Sequence, residues 1–144
     1  MTRLAVASLV SLALLLAGAA RAQTEKWNQE KVTALSGELM SSVSGLQNAL
    51  QNSAQAQNPL LEDTLAQVGD LLGLFEFEAT HLNALLASGK GLRATLPAYK
   101  RLQELHAELT PYGGQVELSA FLAPPVAKAK AALTALAKYY PPQP

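Results

Sequence analysis

Cysteine is absent from this sequence. With it go disulfides, thiolate nucleophiles, Cys-ligated zinc, iron–sulfur clusters and haem attached through C-x-x-C-H. Histidine is scarce: His81 and His106 are the whole supply, which leaves little for metal or acid–base chemistry. An excess of one charge is also missing, since 11 Lys+Arg balance 11 Asp+Glu. Non-specific nucleic-acid binding needs a basic surface to displace counterions, so that class is set aside. No G-x-S-x-G, G-x-x-x-x-G-K-[ST] or G-x-G-x-x-G occurs, which removes the usual signals for a serine nucleophile or a phosphate loop. Strand signals are poor, without an Asn-Gly or Asp-Gly hairpin. What remains is a chain of 144 residues, 49% hydrophobic. That suits one folded domain rather than a disordered tail.

One long apolar run is present, at the start. Arg3 supplies a positive charge, Leu4 to Ala17 is uncharged and apolar, and Ala20-Arg21-Ala22 follows. This reads as a bacterial-style signal peptide over residues 1–22, cleaved before Gln23. The run is short for a membrane span of about 20 residues. The expectation is therefore a periplasmic or secreted protein whose single domain covers 23–144 and spans no membrane after cleavage.

Ala, Leu, Gln, Glu and Lys dominate the rest, and all favour helix. Breaks fall at Asn58-Pro59, Gly89-Lys90-Gly91, Pro111 with Gly113-Gly114, Pro124-Pro125 and Pro141-Pro142. They divide the chain into four helical stretches. The first is expected over 25–52, with Trp27, Val32, Leu35, Leu39, Val43, Leu46 and Leu50 in line. The second starts at Asn58 as N-cap with Pro59 behind it. Its seam is Leu61, Leu65, Val68, Leu72, Phe75, Ala79, Leu82 and Leu86, alternating steps of four and three. That is the pattern of helices packed at a shallow angle. Gly89 suits its C-terminal stop. The third stretch runs over 92–110, with Leu92, Thr95 or Leu96, Tyr99, Leu102, His106 and Leu109 in line. Residues 115–122 read as a short helix or an irregular cover. The fourth helix runs from Pro124-Pro125 to Tyr140. Together these predict an all-α, up-down-up-down antiparallel four-helix bundle after a cleaved signal peptide.

Few residues offer chemistry. Glu78 and His81 are three apart, so they share a helix face. That spacing lets a carboxylate and an imidazole meet one metal in di-iron carboxylate bundles. The nearest second copy puts Gln103 before His106, an amide in place of the carboxylate. These two are therefore weak metal candidates. His106 lies between Leu102 and Leu109 on the third helix. With Met40 as second ligand, it is the weak candidate for holding haem b. The ligand chemistry is similar to that of the b-type bundle cytochromes, but the likeness is one of architecture alone. No cofactor is expected.

The second helix carries another apolar line, Leu71, Leu74 and Leu85, with Glu78 and His81 between. This is the expected interaction face, for an unknown protein partner or self-association. Charge is lopsided: Lys26 and Lys31 stand against eight acids over 23–89, while seven Lys+Arg stand against three acids over 90–144. The fourth helix is modestly basic through Lys128, Lys130 and Lys138, but its apolar face is mostly Ala, a poor membrane anchor. Tyr139-Tyr140-Pro141-Pro142 reads as a helix stop or as a recognition tail. The functional expectation is a non-catalytic exported bundle working through protein–protein or envelope contacts. The alternative is a small periplasmic carrier holding haem b, a metal or an apolar ligand between its helices.

Overall fold

A computed structural model describes residues 25–114 and 122–142. The expected signal peptide and the segment 115–121 lie outside the described residues. The described chain is all-helical, with four α-helices and no strand: α1 (Gln29–Gln51), α2 (Glu62–Ala87), α3 (Leu92–Leu109) and α4 (Ala123–Ala137). α1 packs on α2 and on α4, and α2 packs on α3, whereas α3 and α4 approach one another only sparsely.

Each boundary has a local cause. Asn28, in extended conformation, caps α1 by accepting from the Lys31 amide at 3.0 Å. The helix thus starts at Gln29 rather than Glu25. Two 3-10 turns, Ala54–Gln57 and Pro59–Leu61, join α1 to α2. Asn58 caps the second of them, accepting from the Leu60 amide at 3.0 Å. The α-helix proper begins at Glu62, so Glu62 and Asp63 both fall in its first turn, where the helix dipole favours acids. α2 ends in a Schellman motif: the Gly89 amide donates to Leu86 O and the Lys90 amide to Leu85 O, both at 3.0 Å. Gly89 has φ +85°, a conformation in which a Cβ costs about 1–2 kcal/mol. α3 carries Pro97 in its interior, on an exposed face. Proline has no N–H for the Arg93 carbonyl.

The α2 seam is buried from Val68 onward, with Leu72, Phe75, Ala79, Leu82 and Leu86 also inside; its first two members, Leu61 before the helix and Leu65 in its first turns, are only partly buried. Phe75, Ala79, Leu82 and Leu86 share one core with Val32, Leu39 and Val43 of α1, Ala98, Tyr99, Leu102 and Leu105 of α3, and Leu133 and Leu136 of α4. Burying each large aliphatic side chain contributes about 1.5–3 kcal/mol. On α3 the buried face runs through Leu105, which leaves His106 half-buried at its edge. Between α1 and α2, Asn83 donates to Ser36 Oγ at 2.8 Å and to the Thr33 carbonyl at 3.3 Å. These bonds satisfy polar atoms at a helix contact where Ser36 is fully buried.

α4 stops at Ala137, three residues before the expected end, and the two tyrosines beyond it turn inward. Tyr140 is 1% and Tyr139 7% exposed, so they are core residues and not a recognition tail. Tyr140 stacks on Tyr99 with centroids 4.0 Å apart and meets Trp27 edge-on at 5.5 Å. Its hydroxyl shares a 2.8 Å hydrogen bond with Thr95. Burial pushes the Tyr140 phenol up to about 12. Trp27 Nε1 donates to Gln29 Oε1 at 2.9 Å, and Gln29 Nε2 donates to the carbonyls of Leu86 and Lys90 at 2.8 and 2.9 Å. The Glu25 amide donates to the Lys138 carbonyl. The start of α1, the α2–α3 turn and the end of α4 are thereby tied together.

Candidate functional site

At the other end of the helices the packing opens. Leu50, Val68, Leu72 and Leu122 form a second, smaller buried cluster there. Beside it lies a cavity of about 530 Å³. Val43, Leu46 and Leu50 of α1 and Val68, Leu72 and Phe75 of α2 supply one wall. The C-terminal end of α3 supplies His106 and Leu109, followed by Thr110 and Tyr112 of the 3-10 turn Thr110–Gly114. Leu122 with Val126, Ala129, Lys130, Leu133 and Thr134 of α4 completes it.

The cavity follows from side-chain size and helix spacing. α1 and α2 present large aliphatic residues, but the facing half of α4 offers Val126 and Ala129. Among the described residues, α3 and α4 are barely in contact and no helix closes the gap. The described lining is overwhelmingly apolar, and its polar residues are His106, Thr110, Tyr112, Lys130 and Thr134. Size and composition match small-molecule sites, which are about 300–1,000 Å³, mostly apolar and carry a few placed polar groups.

The polar groups differ in what they have left to offer. Thr110 Oγ1 donates to the His106 carbonyl at 2.9 Å, and Tyr112 Oη donates to Gln67 Oε1 at 2.9 Å. The side chains of Lys130 and Thr134 make no hydrogen bond or ion pair among the described residues. Burial lowers the His106 pKa from its ordinary 6.5, and the nearby Lys130 charge lowers it further. The imidazole is therefore neutral at neutral pH.

Of the candidates read from sequence, only His106 lines this cavity. Met40 packs against the main core and does not line it, so the two haem-ligand candidates do not share a pocket. Glu78 and His81 face each other across one turn of α2, Nδ1 to Oε2 at 3.5 Å, with the His81 side chain 52% exposed. Among the described residues, no group of three or more His, Asp or Glu could hold a metal ion. Leu71 and Leu85 lean onto the main core, while Leu74 is 50% exposed. Phe77, one turn on from Leu74, is 68% exposed and was missed. The cavity was missed too. Its one sequence signal is the Ala-rich face of α4 opposite the Leu-rich faces of α1 and α2. Among the described residues, no helix is long and apolar enough to cross a membrane. Comparison with known protein families, with curated proteins and with solved structures finds no match.

Proposed function

We propose that this protein is a non-catalytic, exported carrier that holds an apolar small molecule inside an up-down-up-down helical bundle. The observation that carries this reading is the cavity of about 530 Å³ between the helix ends, walled by aliphatic side chains. A chain selected for stability alone gains by filling such a space, because each void forfeits packing and burial. Export rests on the leader-like residues 1–22, and cleavage before Gln23 leaves 23–144 as the working domain. The expected address is the periplasm or the exterior, where a small apolar compound needs shielding from water.

Ligand-dependent stability tests the reading. An apolar compound that binds only the folded state raises the melting temperature with concentration. Ala129→Trp, which places a large side chain in the cavity, should abolish that rise. No rise with any apolar compound, in a protein that melts cooperatively, would end the carrier reading.

A second reading has an observation of its own. Leu74 and Phe77 form an exposed apolar pair on α2, with Leu60 92% exposed at the start of the same arm. Such a patch suits a protein partner or self-association. Leu74→Glu with Phe77→Glu should then abolish any dimer or co-purifying protein and leave the melting temperature unchanged.

A further inference from the structure

The cavity is apolar in its walls but not neutral at its edge. Among its described lining residues Lys130 is the one charged group, and none is acidic. The nearest acids on α3 are engaged elsewhere: Glu104 and Glu108 pair with Arg101 at 3.0 and 3.7 Å. The Lys130 side chain itself has no ion pair or hydrogen bond among the described residues. Lys130 lines the cavity and is exposed, a position where a long cationic side chain can lay its stem on apolar surface and keep its charge in water. Thr134, one turn further along α4, adds a hydroxyl with no hydrogen bond to a described residue. His106, facing Lys130 from α3, adds a ring nitrogen. A cation with no ion pair among the described residues, beside two donors that make no side-chain hydrogen bond to them, at the rim of an apolar void, is complementary to an anionic head on an apolar tail.

Resting on the carrier reading, we infer that the ligand is a single-chain amphiphile with a carboxylate head, a long-chain fatty acid. The carboxylate sits on Lys130 and Thr134, with His106 opposite, and the alkyl chain runs between α1, α2 and α4 along Leu72, Phe75 and Leu133. Volume supports one chain. A water's share of liquid is about 30 Å³, and a methylene takes a similar share, so the cavity holds on the order of 15 chain carbons. Two acyl chains of that length do not fit. The imidazole adds no positive charge at neutral pH, so Lys130 alone sets the preference for an anion.

Calorimetry on the purified protein with three ligands of equal chain length tests this: palmitate, hexadecanol and cetyltrimethylammonium. Palmitate should bind about tenfold more tightly than the alcohol, the effect of one partly solvated charge pair, and the ammonium compound most weakly. Lys130→Met should reduce palmitate to the level of the alcohol, and Lys130→Glu should favour the ammonium compound. Lys130 is exposed, so both variants keep the fold, which their melting curves check. Equal binding of palmitate and alcohol would leave the carrier reading standing and overturn the carboxylate head. A palmitate preference that survives Lys130→Met would overturn the assignment of the head to this site. Absence of binding by all three, or binding that persists unchanged in Ala129→Trp, would overturn both.

Discussion

The two ends of the molecule are built from the same kinds of residue yet finished differently. At one end Trp27, Tyr99 and Tyr140 fill the space between helices, and Gln29 and Thr95 satisfy the polar atoms around them. At the other end α1 and α2 bring comparable aliphatic faces, but α4 answers with Val126 and Ala129, and a void remains. The difference separates two roles. Close packing at the aromatic end contributes stability; the open end gives some of it up and gains a chamber.

The sharpest way to break that contrast is to hollow the aromatic end. Tyr140→Ala removes a ring that is 1% exposed, stacked on one aromatic and edge-on to another. A loss of about 3–5 kcal/mol is expected by urea denaturation, the usual cost of deleting a buried aromatic. Leu133→Ala, at the cavity wall, should cost near the lower bound of the ~2–5 kcal/mol for buried Leu→Ala. It already lacks neighbours on one side, so fewer contacts are lost. A larger loss for Leu133→Ala than for Tyr140→Ala would invert the comparison.

Filling the open end should make the two ends alike. Ala129→Leu is expected to raise stability by about 0.5–2 kcal/mol, the gain typical of cavity filling, and to weaken ligand binding. A destabilised Ala129→Leu protein would mean that the wall has no room to give. The smallest effect concerns pH. Folding holds His106 below its ordinary 6.5, so between that value and its folded pKa the unfolded chain binds the extra proton. Stability is therefore full above about 6.5 and declines as pH falls through the folded pKa. His106→Gln should flatten this part of the stability profile, read by denaturation at stepped pH. A profile identical to that of the parent protein would show that His106 contributes nothing to it.

Legibility in the sequence followed the range of the physics involved. The α2 seam was plain because a helix's buried face is written in its own spacing, and Val68 to Leu86 obey it without a break. The Gly89 stop was legible for the same local reason. Asn58 was read as the cap of α2, but Pro59 and the residues after it first form a 3-10 turn, and the cap serves that turn. Tyr140 continues the apolar line of α4 by spacing, so it read as helical. Its place is set instead by Tyr99 and Trp27, which lie far away in the chain. The same limit hid the cavity. Residues such as Leu72 and Leu133 look like core in any periodicity, and the distance between α3 and α4 leaves a space beside them among the described residues. Of the candidate residues, His106 drew attention as a seam histidine. Lys130 and Thr134, which line the same cavity, carry no spacing signal that would connect them to it.

Gln29 is a single amide that donates to the carbonyls of Leu86 and Lys90, on either side of the positive-φ Gly89. The bonds span 57 and 61 residues of sequence. Fraying at the end of α2 therefore requires the first turn of α1 to let go as well, and the aromatic end opens as one cooperative unit. Among the described residues, no comparable long-range clasp borders the cavity, where Tyr112 to Gln67 is an exposed bond. Sub-global opening of the cavity end thus costs less than opening of the aromatic end. Amide hydrogens near Leu109 and Val126 should exchange well before those near Leu82 and Leu86. On the carrier reading, a ligand would enter through that local opening while the aromatic end stays folded.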